Sequence, residues 1–232
     1  EDALHKLDGT RYQEQAWLPL LTLHERARDR QKAAETARRL QQIGQGDFST
    51  RLAHYLCEQA ADALAKKKDP LSAEQLLRQA IEEAPGAARP RIQLAGLLTG
   101  RNEWTAAFEQ LSQLEQHAPQ VIPLVASELV RIGQASGQQA QARALLERSY
   151  AATPSVDVAD ALVQADTASG VPPQEAREGY VRHMTQEPSL IAAARWLSHE
   201  PFAQEGAHPV VQRSVDHAAR PLARYRCAAC GF

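Results

Sequence analysis

Ala73-Glu74-Gln75-Leu76-Leu77-Arg78-Gln79-Ala80-Ile81-Glu82-Glu83-Ala84-Pro85 carries the pattern from which the fold follows. A small residue stands twelve places before a proline, and a large apolar residue stands eight places before it. The same spelling returns along the chain. Pro85, Pro119, Pro154 and Pro188 are separated by 34, 35 and 34 residues. Ala73, Ala107, Ala142 and Ala176 keep the small position; Leu77, Leu111, Leu146 and Tyr180 keep the large one. Proline ends a helix because it lacks the amide hydrogen and pushes its predecessor out of the α region. Small residues belong where helix axes approach to about 8–10 Å and leave no room for a longer side chain.

A step of about 34 residues, with proline just after a second helix, is the tetratricopeptide period of two antiparallel helices. The fold class expected is therefore all-α, a right-handed superhelical solenoid of tetratricopeptide-type hairpins with a short C-terminal half-knuckle. Alanine-rich composition and an aromatic content of only 5% agree with closely packed helices. Ala34 lies 39 residues before Ala73, so a longer connection is expected near Gly44-Gln45-Gly46-Asp47. In the first helices Ala61 and Ala95 take the small position, while Val130 and Gln164 depart from it. Helices are predicted at 10–28, 30–43, 48–67, 70–84, 88–99, 103–117, 121–136, 138–152, 155–169, 172–186, 189–199 and 207–220. Gly44, Gly46, Gly100, Gly133, Gly137 and Gly170 read as turn residues, alongside Asp69-Pro70, Pro85-Gly86, Pro119, Pro154, Pro172-Pro173, Pro188 and Pro201. Residues 1–53 form a truncated, irregular repeat region, 54–188 the regular repeats, 189–222 a degenerate helix pair and 223–232 half of a metal knuckle.

The net charge of −2 gives no field suited to nucleic acid or an anionic membrane. No apolar stretch of about 18 residues is present, and no signal peptide opens the sequence. Glu1 in place of Met reads as a chain cut from a longer one, with residues 1–8 as the tail of a helix whose partner is missing. Phosphate-binding loops, dinucleotide fingerprints, zinc-protease helices and nucleophile elbows are all missing from the sequence. The eight histidines are scattered and read as surface or packing residues. Lys66-Lys67-Lys68 reads as a solvated helix end, where cations meet the negative pole of the dipole. Cys57, on an apolar helical stripe, reads as a packing residue.

By register, Glu58, Asp62, Arg89, Ile92, Ser127 and Arg131 should face the groove that stacked first helices make. Their mixed charge favours a polar peptide or a folded protein surface. Cys227 and Cys230, followed by Gly231, form half of a four-thiolate knuckle, whose two-residue gap lets both sulfurs face one ion. Two readings of the pair stay open: an unliganded tail, and a metal site completed by a second chain, which would make a homo-oligomer. His208 and His217 lie upstream with nothing in the sequence to bring them to the thiols.

Ala37-Arg38-Arg39-Leu40-Gln41-Gln42-Ile43-Gly44, Arg51-Leu52-Ala53-His54-Tyr55-Leu56-Cys57-Glu58-Gln59-Ala60 and the closing Tyr225-Arg226-Cys227-Ala228-Ala229-Cys230-Gly231-Phe232 together resemble the lipopolysaccharide assembly protein B family. The resemblance covers essentially the whole chain and rests on the combination of repeats with the terminal knuckle. It implies a non-enzymatic adaptor on the cytoplasmic side of a bacterial inner membrane. The adaptor would bring the committed-step deacetylase of lipid A synthesis to a membrane-bound ATP-dependent metalloprotease, and an inner-membrane regulator protein would oppose it. It further implies a rubredoxin-type domain with one iron or zinc ion, of whose ligands Cys227 and Cys230 would be the first two. The family's membrane helix, first repeats and second cysteine pair have no counterpart here, so the metal site would be incomplete or absent in this chain. Two other functions remain: a general peptide-binding repeat module, and rubredoxin-like electron transfer, which two thiolates alone cannot support. A nucleic-acid role for the knuckle lacks the basic stripe it would need.

Overall fold

The computed structural model of the chain describes residues 13–44, 46–198 and 208–220. Every regular element among these residues is helical. The chain divides into two compact units, Glu1–Arg101 and Asn102–Phe232. The division falls within the repeat that ends at Pro119. The expectations for residues 1–8, Pro201 and 223–232 fall outside the described residues.

The first unit contains α1 (Gln13–Arg26), α2 (Arg30–Gln42), α3 (Ser49–Asp62), α4 (Pro70–Glu83) and α5 (Ala88–Gly100), with a π-helical segment Ala63–Lys67 prolonging α3. Consecutive helices pack on one another, and α5 also returns to α3. The starts of α2 and α4 have the same chemical cause. Asp29 accepts from the amide of Lys32, and Asp69 from that of Ser72, each satisfying one of the amides a helix start leaves without a partner. Pro70 then occupies the first helical position, where no amide is needed. The core is the expected ladder: Ala34, Ala73 and Leu77 are buried together with Leu40, Leu52, Leu56, Leu94 and Leu98. Cys57 is also buried, and burial pushes its thiol up to about 11, which suits a packing residue.

The second unit contains α6 (Trp104–Ser112), α7 (Leu114–His117), α8 (Ile122–Ala135), α9 (Gln139–Ala152), α10 (Val156–Ala168), α11 (Pro173–Ala176), α12 (Glu178–Gln186), α13 (Leu190–Ser198) and α14 (His208–Ala219). Here α8 packs on α6, α9 and α10, while α10 packs on α12 and α13. Ala107, Ala142 and Ala176 are at most 2% exposed, as are Leu111, Leu146 and Tyr180, so both ladders read from the sequence point inward.

The structure corrects several details. Gly133 is not a turn residue. It lies in α8, and a Cβ there would stand 2.8 Å from the Cβ of Ala142 on α9. Gly100 ends α5, and the turn after it uses Asn102 at φ 62°. Ala95 is buried as expected, but Ala61 is exposed, two residues before α3 widens into its π segment. Val130 is buried although larger than the pattern wants, and Gln164 is exposed. The long step from Ala34 to Ala73 is shared by the connection at 43–48 and the π-prolonged first helix, rather than residing in the connection alone. The predicted helices 103–117 and 172–186 are each divided, at Gln113 and Arg177.

Candidate functional site

Of the six residues expected to face the groove, Glu58, Asp62 and Arg89 are drawn into one ionic network of the first unit. Glu58 lies 3.0 Å from Arg30 and 2.5 Å from Arg89. Arg30 continues to Asp62 at 2.8 Å, and Asp62 to Lys66 at 3.1 Å. Helices α2, α3 and α5 supply the partners, so the network ties three helices by their polar faces. Burial alone would raise the Glu58 carboxyl, but the Arg89 hydrogen bond and the charges of Arg89 and Arg30 outweigh it and hold the group below its ordinary value. The hydrogen bond from Lys66, aided by Arg30, likewise lowers Asp62. His54 closes the network, its Nδ1 standing 2.8 Å from an Arg89 guanidinium nitrogen. Burial and then the Arg89 charge lower its pKa, so the ring is held neutral and can accept from arginine. Ile92 is half-buried. The charges of this face are consumed internally, which leaves it less of a landing site for a charged ligand than its sequence suggests.

Ser127 and Arg131 belong to the second unit and are exposed. Both line a cavity of about 610 Å³, with Gln134 from α8, Asp160 and Gln164 from α10, and Arg195 from α13. Arg131 is held there by two contacts. Its guanidinium lies 2.5 Å from Glu128, and its Cζ stands 5.6 Å from the centre of the Trp104 ring. At the cavity floor the Tyr180 hydroxyl donates to Asp160 at 2.5 Å. Burial, and then that bond, raise the Tyr180 pKa far above the ordinary phenol value, keeping it a donor. Arg195 sits 3.9 Å from the same carboxylate. The cavity thus offers guanidinium, carboxamide and hydroxyl groups beside the apolar side chains of Val130 and Val163, an arrangement with the chemistry to hydrogen-bond a polar chain.

Asp160, Tyr180 and Arg195 were not among the groove residues the sequence singled out, Tyr180 having been read only as a packing residue. One signal could have found them. Tyr180 takes a position that Leu holds in the three preceding repeats, and a buried phenol needs a hydrogen-bond partner. Among the described residues no group of three or more His, Cys, Asp and Glu is placed to hold a metal ion. Cys227 and Cys230 lie outside the described residues. Likewise, no described helix is long and apolar enough to cross a membrane.

Residues 64–127 match the tetratricopeptide repeat family. Curated relatives include lipopolysaccharide assembly protein B of Escherichia coli strain K12 and of Escherichia coli O157:H7, each 26% identical over 239 residues. The alignments cover 100% of this chain and 61% of each relative, so the chain spans about three-fifths of their length. The resemblance read from the residues is thereby borne out. Among solved structures, the MamA protein superposes with a TM-score of 0.46 at 14% identity, covering 76% of this chain and 92% of its own. Pseudomonas aeruginosa pilF gives 0.45 at 16% identity, covering 90% and 89%.

Proposed function

We propose, from its likeness to lipopolysaccharide assembly protein B, that this protein is a non-catalytic adaptor in the control of lipopolysaccharide synthesis. It holds the committed-step deacetylase of lipid A synthesis and presents it to a membrane-bound ATP-dependent metalloprotease at the cytoplasmic face of the inner membrane. An inner-membrane regulator protein restrains that delivery. The observation that carries the proposal is the match of the whole of this chain to 61% of relatives of that name, on a tandem of hairpins whose polar cavities suit protein surfaces. Arg131, fixed by Trp104 and Glu128 at the open side of the second unit's cavity, is the side chain we assign to partner contact. By the same likeness, Cys227 and Cys230 would be the first two ligands of one iron or zinc ion.

Co-purification tests the proposal. Tagged chain is expected to retain the deacetylase and the metalloprotease from detergent-solubilised membranes, and Arg131→Glu is expected to weaken at least one of the two. Retention of neither protein would reject the adaptor reading.

A further inference from the structure

Three features of the first unit lower its stability without serving its packing, and they meet at one cavity. Gly96 lies in the interior of α5, where glycine is a poor helix former. Gly133 and Gly179 are explained by close neighbours, 2.8 Å and 2.9 Å from an added Cβ. Gly96 has nothing within 4 Å and no left-handed backbone to require it. The second feature is the π-helical segment Ala63–Lys67, a rare form that is frequent at functional sites. Leu64 within it is 39% exposed. Third, the Oε1 of Gln93 is shielded from solvent and accepts no hydrogen bond, so folding strips it of water and returns nothing.

Gly96, Leu64 and Gln93 all line a cavity of about 540 Å³ formed by α3, its π segment, α4 and α5. The buried Ala60 and Leu77 and the half-buried Leu97 line it as well. Arg101, also in the lining, is held by Glu74 at 2.6 Å and by the Pro70 carbonyl at 2.9 Å. Among the described residues no carboxylate lines the cavity. It presents apolar walls and one unused acceptor.

We propose that this cavity receives a tryptophan side chain of a protein partner, whose indole N–H donates to the Gln93 Oε1. Indole is the one uncharged side chain that joins a large apolar body to a donor and carries no acceptor. Lysine and arginine also lack acceptors, but among apolar walls with no carboxylate nothing offsets the lost hydration of a cation. Phenylalanine or leucine would leave the Gln93 oxygen unsatisfied. Arg101 offers the ring the kind of cation contact that Arg39 makes with Trp17 at 4.8 Å. Glycine at position 96 keeps the volume open, which any side chain there would occupy. The site lies wholly in the first unit and does not depend on the role assigned to Arg131.

The test measures fluorescence anisotropy on the whole chain with labelled serine–glycine peptides carrying one central tryptophan, 2-naphthylalanine or alanine. The tryptophan peptide should bind and the alanine peptide should not. Naphthylalanine keeps the ring size without the N–H, so it should bind about fivefold more weakly, the equivalent of one hydrogen bond. Gln93→Met removes the acceptor at similar volume and should bring the two ring peptides to equal affinity. Gly96→Leu fills the cavity and should weaken the tryptophan peptide about tenfold or more. The same variant should hold or raise the urea midpoint, because leucine is the better helix former, so lost affinity does not reflect unfolding. Arg131→Glu, which tests partner contact in the second unit, should leave this affinity unchanged. The proposal is overturned if the tryptophan peptide binds no better than the alanine peptide, or if Gly96→Leu keeps full affinity. It is also overturned if tryptophan and naphthylalanine bind equally to the unaltered chain, or if the preference for tryptophan survives in Gln93→Met. Loss of the tryptophan peptide in Arg131→Glu would overturn it as well, by placing the contact in the other unit.

Discussion

Replacing Gly133 with alanine sets two effects of known size against each other. Alanine is the better helix former by about 1 kcal/mol in a helix interior. At this position, however, the new methyl group would stand 2.8 Å from the Cβ of Ala142. Carbon atoms prefer about 3.5–4.0 Å, so the pair is short by about 0.7–1.2 Å. Neither carbon can rotate away, since each is bonded directly to its helix backbone, and α8 and α9 must separate. The aromatic edge of Phe108, 3.6 Å from the same point, fills the remaining side. Overpacking of this kind costs about 1–3 kcal/mol, which exceeds the propensity gain, and Gly133→Ala is expected to destabilise by about 1 kcal/mol net. Urea denaturation followed by circular dichroism would register a lower midpoint. Adding Ala142→Gly removes the colliding carbon, so the double-mutant cycle should show a coupling of about 1–2 kcal/mol in favour of the pair. A coupling within about 0.5 kcal/mol of zero, or a stabilised Gly133→Ala, would refute the close-approach argument.

Gly96 lies in α5 with nothing within 4 Å of an added Cβ, so Gly96→Ala should raise stability by about 0.5–1 kcal/mol, seen as a higher urea midpoint. Ala107 is fully buried, and Ala107→Leu should cost about 1–3 kcal/mol by overpacking, measured in the same way. Tyr180→Phe removes the bond to Asp160, whose side chain is 18% exposed and can partly rehydrate; the loss should be about 1.5 kcal/mol. His54 and His183 have lowered pKa values, chiefly from burial, His183 also facing the Tyr150 hydroxyl at 2.9 Å. The unfolded chain therefore takes up their protons first as pH falls below about 6.5, and stability present above that value should decline toward pH 5. Glu58 and Asp62, held below their ordinary values, add a second loss only below about pH 4.5. A urea midpoint flat between pH 7 and pH 5 would contradict the histidine assignment.

The repeat was legible because packing leaves a steric record. Where helices cross closely only Ala73, Ala107, Ala142 and Ala176 fit, and the spaces between are filled by Leu77, Leu111, Leu146 and Tyr180. Gly133 was misread because glycine serves both tight turns and close helix approach, and one sequence does not separate the two uses. The break at Gln113 and the π segment at Ala63–Lys67 leave no residue signature, since each changes hydrogen-bond registry without a proline or glycine. The groove residues were chosen by register, which gives direction but not pairing. Register could not reveal that Arg30 reaches across from α2 and neutralises both Glu58 and Asp62. In the second unit the same register found Ser127 and Arg131 at a cavity, but missed the Tyr180–Asp160 bond at its floor.

The most direct measurement follows the deacetylase in a reconstituted reaction with the metalloprotease, ATP and this protein. The account predicts that the deacetylase is degraded faster when the protein is present, and that Arg131→Glu slows the reaction while leaving the fold intact by circular dichroism. Degradation at the same rate with and without the protein would contradict the adaptor function at its root.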